Sequence, residues 1–188
     1  MSARAFLITS FIALLSVVAS ADDEAKLCGQ GSVPAAVTSR LKAEFPAWRV
    51  QTVGDLAPMT KKRWQEEKPL SCPGTAEGQF ELVGQISYAF LLVPTANPDR
   101  EYKFLVFTPS GNQSAFLLRT VEDWNKGNVS HYFIHKVDIA KVFSSAWVGK
   151  LHVKTKQGIL FADAAESEYG VEVYFFADGK YQHEPIDY

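Results

Sequence analysis

The chain has 188 residues, with 19 basic and 21 acidic side chains, a net charge of −2 at neutral pH, 47% hydrophobic and 13% aromatic content. The charge balance excludes a nucleic-acid binder that works through a basic face. The apolar content excludes a chain too polar to bury a core.

Residues 1–21 read as an export signal. Arg4 precedes an apolar run over 5–19, interrupted by Thr9, Ser10 and Ser16. Ala19-Ser20-Ala21 then forms a small-x-small cleavage pattern ahead of Asp22, Asp23 and Glu24. The run is 15 residues long, short of the roughly 20 that a membrane-crossing helix needs. The expectation is a cleaved leader, no stable membrane insertion afterwards, and a periplasmic or extracellular protein. Without the leader, 18 basic and 21 acidic residues remain in a chain of 167, a normal size for a single domain over 22–188.

Two cysteines, Cys28 and Cys72, follow the leader. In an oxidising compartment an isolated pair most simply forms a disulfide. Two thiols alone do not build a zinc site, and no CxxC redox pair is present.

In chain order, Ser32 and Pro34 suit a helix start. Val33, Val37, Leu41 and Phe45 then recur every four residues as one apolar stripe until Pro46. Residues 48–53 alternate as a first strand. Residues 54–78 are polar and irregular, with room for a short helix between Pro58, Pro69 and Pro73. Strands are then expected over 85–93, 102–108, 114–121, 129–137, 146–153, 158–162, 171–176 and 180–184. Turn residues at 109–112 and the Asp178-Gly179 pair mark hairpins. The expected class is α+β: an N-terminal helix packed on one antiparallel β-meander sheet.

Gly78, Phe80, Gly84, Tyr88 and Ala89 fall in register with the G-D-F-D-G-D-G-x-x-D-Y-A loop, and residues 78–89 resemble the FG-GAP/VCBS-like repeats of exported bacterial proteins. In that family alternating aspartates bind calcium. Here the matching positions hold Gln79, Glu81, Val83 and Ser87, so one carboxylate remains. Calcium takes six to eight oxygens; the resemblance therefore implies the strand–loop–strand shape with no metal and no cofactor.

His131 and His135 have a metal-ligand spacing for a helix, but Tyr132, Phe133 and Ile134 between them favour a strand. On a strand, residues four apart share a face at about 13 Å, too far to hold one ion. Ser39 and Lys42 match the S-x-x-K spacing of penicillin-recognising enzymes without their Ser-Asp-Asn and Lys-Thr-Gly elements. Asp163, Glu166, Glu168 and Glu172 form an acidic stretch that suits either a solvated loop or a carboxylate pair. Lys61, Lys62 and Arg63 beside Trp64 combine basic and aromatic residues and form the candidate binding loop.

No complete catalytic set is present. The expected function is a small, exported, non-enzymatic domain that binds a protein or envelope component. The alternatives are a hydrolase whose groups (His131, His135, Asp138, Asp163, Glu166) converge only in the fold, and a small-ligand module using an aromatic sheet face.

Overall fold

Residues buried on alternate sides of nearly every central strand require two covered faces, and the chain meets this with two sheets rather than one. The computed structural model describes Cys28 and residues 33–67, 71–111, 115–150, 153–165 and 170–186. The leader, Ser32 and Glu166 lie outside these residues.

The first sheet contains β1 (Trp48–Val50), β2 (Thr75–Gly78), β3 (Ser87–Pro94), β4 (Tyr102–Ser110) and β5 (Ala115–Trp124). The second is a four-stranded meander of β6 (Tyr132–Asp138), β7 (Gln157–Asp163), β8 (Gly170–Ala177) and β9 (Lys180–Ile186). All pairings are antiparallel. Ala89, Leu91, Val93, Phe104 and Val106 of the first sheet share a buried cluster with Ile134, Ile159, Phe161 and Tyr174 of the second. The class is α+β, but the single meander expected from the strand spacing divides after β5. Gly127 and Asn128 both take positive φ there, and Asp99 accepts a backbone bond from Ser130 at 2.7 Å. The chain is thereby turned out of one sheet before it enters the next.

β1 and β2 share one edge of β3. β1 lies opposite Leu92–Pro94 and β2 opposite Ser87–Phe90. Leu91, between them, accepts from the Gln51 amide at 2.9 Å and donates to the Gly74 carbonyl at 2.8 Å. The two strands come so close that a Cβ on Gly74 would sit 2.6 Å from the Gln51 carbonyl oxygen, so this position requires glycine. Next to it, the Pro73 carbonyl accepts from Ile134 of β6 at 2.8 Å. The same short segment therefore joins both sheets.

Helix α1 (Ala35–Glu44) places Val37, fully buried, among Phe90, Leu92, Leu105 and Phe107. Arg40 donates to the Phe116 carbonyl of β5 at 2.6 Å. Helix α2 (Pro58–Glu66) begins with proline, where no amide donor is needed. Its Trp64 joins Phe133, Leu160 and Ala162 on the outer face of the second sheet. Residues 146–153, expected as a strand, instead begin as α4 (Ser145–Val148), just after α3 (Ile139–Val142). Side-chain caps explain the difference: Asp138 accepts from Ala140 and Ser144 accepts from Trp147. The strand expected over 48–53 likewise ends at Val50. Thr52 and Asp55 form a reciprocal cap there and open a 3-10 turn over Val53–Asp55.

Cys28 and Cys72 are joined, with Cα atoms 4.7 Å apart and a sequence separation of 44. Cys28 packs beside the Val53, Leu56 and Trp64 cluster. The bridge thus ties the N-terminal segment to the junction between the sheets.

Closing a loop of that length restricts the unfolded chain by about 4 kcal/mol. Reductant, or Cys28→Ser, is expected to lower the thermal midpoint; equal midpoints with and without reductant would contradict this. Gly74→Ala is expected to lose about 2 kcal/mol in urea denaturation, because the backbone around Gln51 cannot yield as a side chain can.

Candidate functional site

The connection from β2 to β3, residues 79–86, is anchored at its base and apolar at its tip. Phe80 is buried, and its carbonyl accepts from the Thr155 hydroxyl at 3.2 Å. The Gln79 amide donates to Gln157 of β7 at 2.7 Å, and the Gln79 side chain accepts from Gly84 at 2.7 Å. Gly84 takes φ +79°, which closes the turn. Leu82, Val83 and Ile86 remain 41%, 74% and 36% exposed.

Glu81, the carboxylate left over from the calcium pattern, is buried. Its two oxygens share the Nε–H of Arg119 on β5, at 3.1 and 3.2 Å. The Arg119 guanidinium lies 4.7 Å above the Phe176 ring of β8. Burial, and then the Glu81 charge, push the Tyr181 hydroxyl of β9 well above the ordinary phenol range. Loop, first sheet and second sheet therefore meet around one carboxylate already bonded to a fixed cation.

A second polar group bridges the sheets. Tyr174 of β8 donates to Glu122 of β5 at 2.8 Å, while Glu172 lies 3.3 Å from the same hydroxyl. A phenol has one proton, so the shorter contact takes it. Glu172 is met instead by His183 Nδ1 at 3.0 Å, and the His183 ring stacks on Tyr174 at 5.1 Å. Tyr102 also faces Glu122; burial first, then that carboxylate, raise both Tyr102 and Tyr174 far above the usual phenol range. Tyr132 is raised by burial and then by Asp163, Glu122 and Asp99. Phenols held neutral in this way donate hydrogen bonds but do not serve as phenolate nucleophiles or bases. Tyr102 and Tyr174 are 3% and 5% exposed, so their rings face other rings. Phe161 is one of them, at 5.6 and 5.8 Å.

The residues singled out from sequence do not converge. Trp64 is 2% exposed; it is a core residue, which corrects its expected place on an exposed binding loop. Its i, i+4 spacing from buried Thr60 puts both on the inward face of α2. Lys62 is well exposed and lies 3.8 Å from Glu66, and Lys61 and Arg63 are half-buried on the same helix. His131 closes a 3-10 turn before β6, whereas His135 lies within β6, so the pair does not share one strand as expected. His135 Nδ1 meets the Lys136 carbonyl at 3.1 Å, and its Nε2 is buried without a partner. Asp138 caps α3, and Asp163 accepts from the Ala165 amide at 3.2 Å. Ser39 and Lys42 are both exposed on α1. Among the described residues, no group of three or more His, Cys, Asp or Glu side chains is placed to hold a metal, and no helix is long and apolar enough to cross a membrane.

Glu122, Tyr174, His183 and Arg119 were not singled out from sequence, and Glu172 was singled out only as part of the acidic stretch from Asp163. The available signal was a charged residue within an apolar strand, as with Glu172 between Val171 and Val173. Glu122 on β5 and Tyr174 on β8, which bond across the two sheets, have no local signature that links them.

Arg119→Met leaves Glu81 buried without its cation and is expected to lose about 2 kcal/mol, less than a fully buried pair because Arg119 is partly solvated. Millimolar calcium is expected to leave the melting midpoint of the native protein unchanged, because the one carboxylate of the loop is engaged by Arg119. A calcium-dependent rise in the midpoint would contradict that engagement.

No family model matches the chain, and no curated protein and no solved structure matches it.

Proposed function

We propose that this chain is an exported, non-enzymatic binding domain that docks a protein or envelope component. In this reading helix α1 forms an outer layer on the first sheet and the apolar tip of residues 79–86 is the contact surface. The observation that carries it is the mounting of that tip. Leu82, Val83 and Ile86 are exposed within five residues, on a base fixed by Glu81–Arg119 and Gln79–Gln157. Exposed apolar groups on a preorganised loop favour association, because little ordering entropy remains to be lost on contact. The basic side chains Lys61, Lys62 and Arg63 on α2 are a second candidate contact.

The signal pattern over residues 1–21 and the disulfide support export. The resemblance to FG-GAP/VCBS-like loops fits the same picture: the guanidinium of Arg119 supplies beside Glu81 the positive charge that calcium supplies in that family. A hydrolase reading is favoured by one contact alone, His183 with Glu172 beside Tyr174.

The test is a photo-crosslinking residue placed at Val83, with Asp178 in the β8–β9 turn as the comparison site. In the native exported fraction, a discrete adduct from position 83 and none from position 178 is expected. Equal labelling from both positions would overturn the docking role of the tip. Turnover of an ester or glycoside that Glu172→Gln abolishes would overturn the non-enzymatic reading.

A further inference from the structure

The connection from β6 to β7 is basic in a chain that is otherwise acidic. Residues 136–156 hold five lysines, Lys136, Lys141, Lys150, Lys154 and Lys156, against one acidic residue, Asp138, while the whole chain has a net charge of −2. Asp138 is engaged as the cap of α3. All five lysines are exposed, and none makes an ion pair among the described residues.

The same connection is bonded to the base of the apolar tip. Thr155, between Lys154 and Lys156, donates to the Phe80 carbonyl at 3.2 Å, and Gln157 accepts from the Gln79 amide at 2.7 Å. Lys136 and Gln157 both lie against Gly78, where a Cβ would meet them at 3.0 and 2.8 Å. The Lys156 carbonyl accepts from Ile139 at 2.9 Å, which holds α3 and its Lys141 at this end of the second sheet. Exposed apolar groups gather here as well. Of the six large ones among the described residues, Leu82, Val83 and Ile86 form the tip. Leu117 lies opposite Thr108, whose hydroxyl is 2.9 Å from that of Ser87, the first residue of β3 after the loop. Trp147, 40% exposed on α4, leans on Phe143 with the rings 5.6 Å apart, and Phe143 packs on Val173, Phe175 and Ala177 of β8. The sixth, Met59, is on α2.

We infer that this end of the sandwich rests on an anionic lipid surface, with Leu82 and Val83 entering the interfacial layer and the lysines meeting lipid phosphates around them. The inference rests on the docking role of the tip and names its occupant. A purely anionic polymer would engage the lysines and leave the apolar tip in water. An apolar pocket on a protein would take the tip and leave ammonium groups beside it without partners. A lipid surface is anionic at its headgroups and apolar just beneath, so one contact satisfies both. An exposed tryptophan among lysines suits the same boundary.

The test is flotation of the exported, disulfide-bonded protein with vesicles of phosphatidylglycerol and phosphatidylcholine in equal parts, and with phosphatidylcholine alone. Binding to the anionic vesicles is expected. It should fall several-fold on phosphatidylcholine alone, and likewise at about 1 M salt, where charges are screened within about 3 Å. A lysine near such a surface contributes about five-fold in affinity, so Lys154→Glu combined with Lys156→Glu is expected to weaken binding about 25-fold or more. Val83→Asp is expected to weaken it as well. Lys126→Glu changes charge in the same sense beyond the opposite end of β5 and is expected to leave binding unchanged. No flotation with the anionic vesicles, equal flotation with both compositions, or an equal loss in Lys126→Glu would overturn the lipid assignment. Cross-linking from position 83 is read separately. A discrete protein adduct there without flotation overturns the lipid occupant and leaves the docking role of the tip standing. Equal labelling from positions 83 and 178 without flotation overturns both.

Discussion

The close approach of Gly74 to Gln51 is the constraint on which the two-sheet arrangement depends. β3 has one free edge, and two strands from distant parts of the chain occupy it end to end. Leu91 satisfies both of its backbone groups at the seam. Unpaired groups at such a buried position would each cost about 1–3 kcal/mol. Pro73 lies one residue before Gly74 and carries the bond to Ile134 of the second sheet. Cys72, one residue earlier again, carries the disulfide. Edge pairing, sheet-to-sheet contact and covalent closure are thus set by three consecutive residues. A shift at any one of them is transmitted to the other two.

Charge is placed by the same logic of cross-sheet closure. Glu81 meets Arg119, and Glu122 meets Tyr174, each pair linking the first sheet to the second or to the loop above it. In a medium of low dielectric an unpaired carboxylate at such positions is destabilising, while a paired one fixes relative position. The tyrosines are held neutral for the same reason, since their neighbours are carboxylates and their surroundings are aromatic. These groups orient the sandwich.

Local pattern made part of this legible. The Asp178-Gly179 turn has positive φ at both residues, 51° and 82°, as a two-residue hairpin between right-twisted strands demands. The strands from β3 to β5 and from β7 to β9 carry the apolar and alternating runs read from the chain. The division into two sheets was not legible, because from β2 onward the strands pair only with their neighbours in the chain and the break at Gly127 and Asn128 looks like any other turn. The placement of Trp64 failed for a related reason: flanking lysines suggest exposure, but a helix separates inward from outward residues over a single turn. His131 and His135 were read as one strand because Val129 is apolar, yet Val129–His131 forms a 3-10 turn first. Glu81 was read correctly as the one carboxylate of its loop, while its partner, 38 residues away, left no trace in local spacing.

The two segments that border β2 differ in how they are held. Residues 79–86 are fixed by bonds at their base, so their exposed side chains keep one geometry. Helix α2 turns Thr60 and Trp64 inward, and Trp64 packs on the outer face of the second sheet. Apolar contact of that kind is strong but undirected. The junction at Cys72–Gly74 separates the two segments.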